Sequence, residues 1–147
     1  MLYTKKPPRF HPKFTIAFCI CEHDKEILIL QRQEGKGQAH EWGVPAGKIE
    51  SSESPLQAVQ RELFEETGIQ QPQSKFIYIN TFYDVYLGFE FVVEVFHVEL
   101  SEQPQVILNP LEHENYCWVT PQKAVSMPHM LDVDLLLKSY YQTLKVT

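Results

Sequence analysis

Apolar positions in the first third of the chain fall in short, dense blocks. Phe14–Cys21 and Glu26–Gln31 are apolar on both alternating faces, and the polar triplet His23-Asp24-Lys25 separates them. That pattern predicts two buried strands joined by a tight turn. Arg32 to Trp42 carries Gly35 and Gly37 among polar residues and reads as a loop, after which Val44-Pro45-Ala46-Gly47 leads into a short extended piece. The period then changes. Leu56, Val59 and Leu63 recur at helical spacing. Ser54 supplies an N-cap, Pro55 suits the first helical position, and Gln57 stands where a capping-box partner belongs. Gly68 is placed to end this helix in the left-handed conformation. Lys75–Tyr83 and Phe89–Glu99 are β-rich on either side of Leu87-Gly88, which predicts a hairpin. Ser101–Asn115 reads as a polar loop with two prolines, and Tyr116–Val119 as a short strand. Thr120-Pro121 opens a brief helix that Pro128 stops, and Val133, Leu136, Leu137 and Tyr140 form the stripe of a final amphipathic helix. Strands interleaved with helices in this way predict an α/β fold, a sheet covered by helices.

Composition narrows the class. At 147 residues the chain fits one domain, 1–147, with no internal repeat. Hydrophobic content of 44% beside 22% charged residues is that of a soluble globular protein. The net charge of −6 argues against a nucleic-acid partner, which needs a basic face. It leaves a nucleotide substrate open, because a bound cation supplies positive charge locally. Cys19, Cys21 and Cys117 are too few and odd in number for a disulfide framework. No apolar run has signal-peptide or membrane-span length, so the expected location is cytoplasmic with no membrane partner.

The chemistry concentrates in one stretch, GKIESSESPLQAVQRELFEETGI, from Gly47 to Ile69. On the expected helix Glu62, Glu65 and Glu66 stand at i, i+3 and i+4, so their carboxylates share a face. Like charges at that spacing cost an isolated helix about 0.2–0.5 kcal/mol per pair. A hard cation turns the liability into a site, since Mg²⁺ seeks oxygen ligands and keeps waters and substrate phosphates as the rest.

The stretch resembles the Nudix box: Gly, five residues, Glu, seven residues, Arg-Glu, an aliphatic, any residue, Glu-Glu, any residue, Gly, an aliphatic. Gly47, Glu53, Arg61, Glu62, Leu63, Glu65, Glu66, Gly68 and Ile69 fill those positions without a mismatch. Ala46 departs from the glycine that many members carry before the box. Trp42 and Pro45 upstream, and Glu112-His113 with Trp118 downstream, are also similar to the family. The resemblance implies an α/β/α sandwich around a mixed β-sheet, with the box as loop-helix-loop. It further implies an enzyme: a Mg²⁺-dependent hydrolase, with Mn²⁺ as an alternative ion, of a nucleoside diphosphate linked to another group. By that likeness Glu62, Glu65, Glu66 and the Gly47 carbonyl ligate the metal, while Glu53 and Arg61 hold helix and loop in register. The general base is either in the box, at Glu65 or Glu66, or on the later loop, at Glu112 or Glu114.

Substrate is a separate question, because selectivity lies in other loops. The compact size and the Glu112–Trp118 segment resemble nucleoside triphosphate pyrophosphohydrolases, which release the monophosphate and pyrophosphate. The alternatives are hydrolysis of ADP-ribose, nucleotide sugars or dinucleoside polyphosphates, or a non-catalytic nucleotide-binding module. Pro45-Ala46-Gly47 is similar to ADP-ribose hydrolases, but their downstream proline is missing here. Arg32 and Lys48 are candidates for phosphate contacts, and Trp42 and Tyr83 for stacking on a base. A homodimer fits the family likeness. Cys19, Cys21 and His23 lack structural zinc spacing and read as small core residues.

Overall fold

A computed structural model describes residues 1–35, 37–129 and 132–146, without the side chains of residues 143–146. Its strands are β1 (Leu2–Tyr3), β2 (Phe14–His23), β3 (Glu26–Arg32), β4 (Trp42–Gly43), β5 (Ala46–Lys48), β6 (Ile77–Tyr86), β7 (Phe89–Glu99) and β8 (His113–Val119). Its helices are α1 (Pro55–Thr67), α2 (Pro121–Val125) and α3 (Val133–Val146).

The strands form one mixed sheet in the order β1-β6-β7-β2-β3-β4, with β5 added on β2 and β8 on β3. β2 and β7 run parallel from Phe14↔Phe91 to Glu22↔Glu99, and the other pairings are antiparallel. β2 and β3 pair at Glu22↔Ile27 and His23↔Glu26 beside their turn and then part. Each takes a new partner beyond that point: β5 sets Gly47 against Ala17, and β4 sets Gly43 against Leu30, while β8 runs along the other edge of β3. The sheet splits there, and the split brings the chain on either side of α1 and the start of β8 toward each other.

Alternation along β2 and β3 divides the core in two. Ala17, Cys19, Cys21, Leu28 and Leu30 face α1 and bury its Ala58, Val59 and Leu63. Phe18, Ile20, Ile27 and Ile29 face the opposite way and meet Ala124 of α2 and Val133, Leu136 and Leu137 of α3. Helices on both faces of a mixed sheet make the α/β/α sandwich anticipated from the sequence.

The first helix begins as its residues dictate. The Ser54 hydroxyl accepts from the Gln57 N–H, the Gln57 carboxamide oxygen accepts from the Ser54 N–H, and Pro55 opens the first turn. Gly68 closes it at φ 72°, donating its N–H to Phe64. Leu56 is only partly buried at the rim, and Ala58 takes the inner place beside Val59 and Leu63.

Several boundaries differ from the sequence reading, among them the end of β2, which runs through His23. β6 starts at Ile77, because Gln73–Lys75 form one 3₁₀ turn, and it runs on to Tyr86. β8 starts at His113, because β3 is long enough to pair Arg32 with it. β1 was unforeseen; it adds to the sheet edge through Leu2↔Asp84 and Tyr3↔Tyr83. Among the described residues no helix is long and apolar enough to cross a membrane.

Candidate active site

β5 and α1 face each other across the split. Gly47 comes so close to α1 that a Cβ on it would overlap the Glu62 carboxyl, which would have to move aside. Arg61 locks the loop to the helix. Its Nε donates to Glu53 Oε2 at 2.9 Å, and its Nη2 donates to Glu53 Oε1 at 2.5 Å and to the Lys48 carbonyl at 3.2 Å. Glu53 Oε1 also accepts the Glu50 N–H at 2.9 Å. The hydrogen bonds from Arg61 pull the Glu53 pKa down to about 2.

Arg61 reaches two further carboxylates: Nη1 donates to Glu62 Oε1 at 2.7 Å and to Glu65 Oε2 at 3.1 Å. Glu62 is largely buried while Glu65 is half exposed, so the helix turns its three acids into three environments. Burial raises the Glu62 pKa, and Arg61 opposes it. Glu66 lies deepest, 3% exposed, with Oε1 accepting the Ala46 N–H at 2.8 Å. Burial pushes its pKa well up, against the pull of that N–H.

Glu66, Glu112 and His113 form a group whose ligand atoms all lie within 4.8 Å of one another. His113 Nδ1 stands 3.6 Å from Glu66 Oε2 and has no hydrogen-bond partner. Burial, and then Arg32, push the His113 pKa down to about 4, so the ring is neutral near pH 7 and the contact is not an ion pair. A neutral imidazole nitrogen without a proton partner, a buried carboxylate and a second acid form a donor set suited to a divalent cation. The oxygen donors among them, with Glu62, Glu65 and the Gly47 carbonyl beside Glu66, fit the hard cation that the box implies.

The sequence-derived candidates separate into groups. Gly47, Glu53, Arg61, Glu62, Glu65 and Glu66 lie together across β5 and α1, and Glu112 joins them from the loop before β8. Glu114 points elsewhere, to His40 Nδ1 at 2.5 Å. Arg32 and Lys48 line a cavity of about 180 Å³ that also touches Gly47. Arg32 Nε donates to the Gly37 carbonyl at 2.8 Å, and Lys48 Nζ sits over the Phe14 ring at 4.6 Å from its centroid. Trp42 pairs with Gln31, and its N–H donates to Pro128 at 2.8 Å. Its side chain packs against the apolar cluster on the α3 face, and Tyr83 packs edge-on against Phe10 at 5.5 Å, so both aromatic candidates are engaged in the fold. Sequence reasoning missed His113 as a donor, although its place beside Glu112 was the available signal. It missed Asp84 altogether: this residue is 1% exposed and lines the same cavity.

The NUDIX domain family model matches residues 11–139. The CTP pyrophosphohydrolase of Escherichia coli (strain K12) is 28% identical over 132 residues, spanning 88% of this chain and 92% of that protein. Among solved structures, a C. elegans Ap4A hydrolase binary complex superposes with TM-score 0.73 at 22% identity, covering 91% of this chain and 99% of the other. The NUDIX domain of Shewanella oneidensis NrtR complexed with ADP ribose superposes with TM-score 0.76 at 20% identity, covering 95% and 94%. At those identities the two structures bear on the fold alone.

Proposed function

Since the chain belongs to the Nudix family and is by that membership a hydrolase of nucleoside diphosphate derivatives, we propose that it is a Mg²⁺-dependent nucleoside triphosphate pyrophosphohydrolase. The observation that carries this reading is the buried Glu66 carboxyl, gathered with Glu112 and His113 beside the Gly47–Glu62 contact. The full-length likeness to a CTP pyrophosphohydrolase favours a triphosphate over the linked diphosphates.

Glu62, Glu65, Glu66 and the Gly47 carbonyl hold the ion in this proposal. When bound, the ion neutralises the diphosphate and makes water a nucleophile near neutral pH. Arg61 and Glu53 keep β5 at its distance from α1, which fixes where the carboxylates sit. Glu112 takes the proton of the attacking water, because it stands beside Glu66 and Arg61 does not engage it. Water adds to phosphorus, the P–O bond to the bridging oxygen breaks, and monophosphate and pyrophosphate leave. Arg32 and Lys48, on the adjoining cavity, neutralise phosphate oxygens. Free thiols at Cys19 and Cys21 suit a reducing, cytoplasmic setting.

The test is a hydrolysis panel with Mg²⁺ or Mn²⁺ over triphosphates, ADP-ribose, nucleotide sugars and dinucleoside polyphosphates, with products separated by chromatography. Monophosphate plus pyrophosphate from a triphosphate is the expected result. Cleavage confined to the linked diphosphates would overturn the substrate class. Nucleotide binding with no turnover would point to a sensor module.

A further inference from the structure

A second cleft, of about 620 Å³, opens on the α3 face of the sheet, between α2, α3 and the β2–β3 turn. It shares no lining residue with the cavity beside Gly47, so it is separate from the proposed nucleotide site. Its volume falls within the roughly 300–1,000 Å³ of small-molecule sites. Pro121 and Val125 of α2 and Tyr141 of α3 are part-buried and give it apolar walls. The Tyr141 hydroxyl is already engaged, donating to Glu22 Oε1 at 3.0 Å, which leaves the ring to the cleft.

Every charged side chain that lines the cleft is a lysine, Lys25 or Lys138, on a chain whose net charge is −6. Lys138 Nζ stands 3.6 Å from Asp134 Oδ2 and stays half exposed. Among the described residues Lys25 has no ion-pair partner. Lys25 also sits against the preference of its backbone. His23↔Glu26 is the last pair before the turn, which leaves Asp24 and Lys25 to make it, at φ 47° and 65°. Turns of this kind favour Asp or Asn first and glycine second. Asp24 complies and Lys25 does not. A side chain held in the left-handed region costs stability, and such outliers cluster where a ligand is handled.

We propose that this cleft is a second ligand site, which takes a small amphipathic organic anion. A flat apolar body lies against Pro121, Val125 and Tyr141, where leaving water favours it. A carboxylate, sulfonate or phosphate head is held by the ammonium groups of Lys25 and Lys138. The inference goes beyond the hydrolase reading and does not depend on it.

8-Anilinonaphthalene-1-sulfonate has this build and fluoresces once its rings leave water, so it serves as the probe. Added to the whole protein, it should shift the amide NMR resonances of Lys25, Val125 and Tyr141 and leave those of Gly47 and Phe91 in place. N-phenyl-1-naphthylamine, the same body without the sulfonate, should bind at least about tenfold more weakly, the worth of one hydrogen bond to a charged group. That comparison needs no variant. Lys25→Gly combined with Lys138→Gln should raise the Kd of the sulfonate by a similar factor. Lys25→Gly alone should raise Tm, because glycine suits φ 65°. A Tm rise with affinity for the sulfonate unchanged in the double variant would make Lys25 a turn residue only and overturn the proposal. Equal affinity for the two probes, or shifts centred on Gly47 and Phe91, overturns it as well. So does an absence of binding in a protein that sediments as a dimer and that Val125→Arg makes monomeric, since a second copy then covers the cleft.

Discussion

Gly47 lies so close to Glu62 that even a methyl group there must push the Glu62 carboxyl aside. Gly47→Ala is expected to displace the Glu62 carboxyl and reduce metal-dependent turnover by at least about a hundredfold. A Mg²⁺ titration of activity, set beside a thermal melt, separates lost metal affinity from lost fold. Two carboxyls should show opposite pH behaviour. Glu53 is held at about 2, below its ordinary 4.5, so its stabilising contribution is present above about 4.5 and disappears as pH falls through about 2. The Tm advantage of wild type over Glu53→Gln should therefore shrink on acidification across that window. Asp84 is raised to about 7 from 3.8, by burial first and then by Asp132. Its ionisation costs stability as pH climbs between those values, so Asp84→Asn should gain on wild type in Tm from pH 4 to pH 7. A gap that stays flat with pH would contradict either assignment.

The box helix was the most legible element, because its signals are local. Ser54, Pro55, Gln57 and Gly68 act on neighbours within one turn, and each takes the place its chemistry predicts. Ser54→Ala should cost about 1 kcal/mol by chemical denaturation. Gly68→Ala should cost a similar amount, because φ 72° strains any L side chain. β1, β4 and β5 have two or three residues each and are strands only through their partners, so no period announces them. The start of β8 was hidden for another reason: His113, Glu114 and Asn115 are polar, and the pairing comes from β3. The site followed the same division. Acids on one helix could be found by spacing, whereas the approach of Glu112 and His113 to Glu66 depends on how β8 docks, which no local pattern records.

Across the whole molecule, two cores share one sheet, with Leu63 of α1 at the centre of one and Leu137 of α3 at the centre of the other. Both are fully buried. Leu63→Ala should cost about 2–5 kcal/mol and lower Tm by several degrees. Because both cores hang on β2 and β3, residues 1–147 should melt in one transition, with far-UV and near-UV circular dichroism coinciding. The parallel pairing of β2 with β7 has a consequence for the protein's birth. Ala17 and Glu94 are neighbours in the sheet but 77 positions apart in the chain. At about 5–20 residues per second, a ribosome delivers β7 roughly 4–15 seconds after β2. For that interval the Phe- and Ile-bearing edge of β2 meant for β7 has no partner, and the box emerges before the sheet that supports it. A nascent chain halted before β7 should accordingly recruit chaperones and ignore divalent metal, and one halted after β8 should do neither.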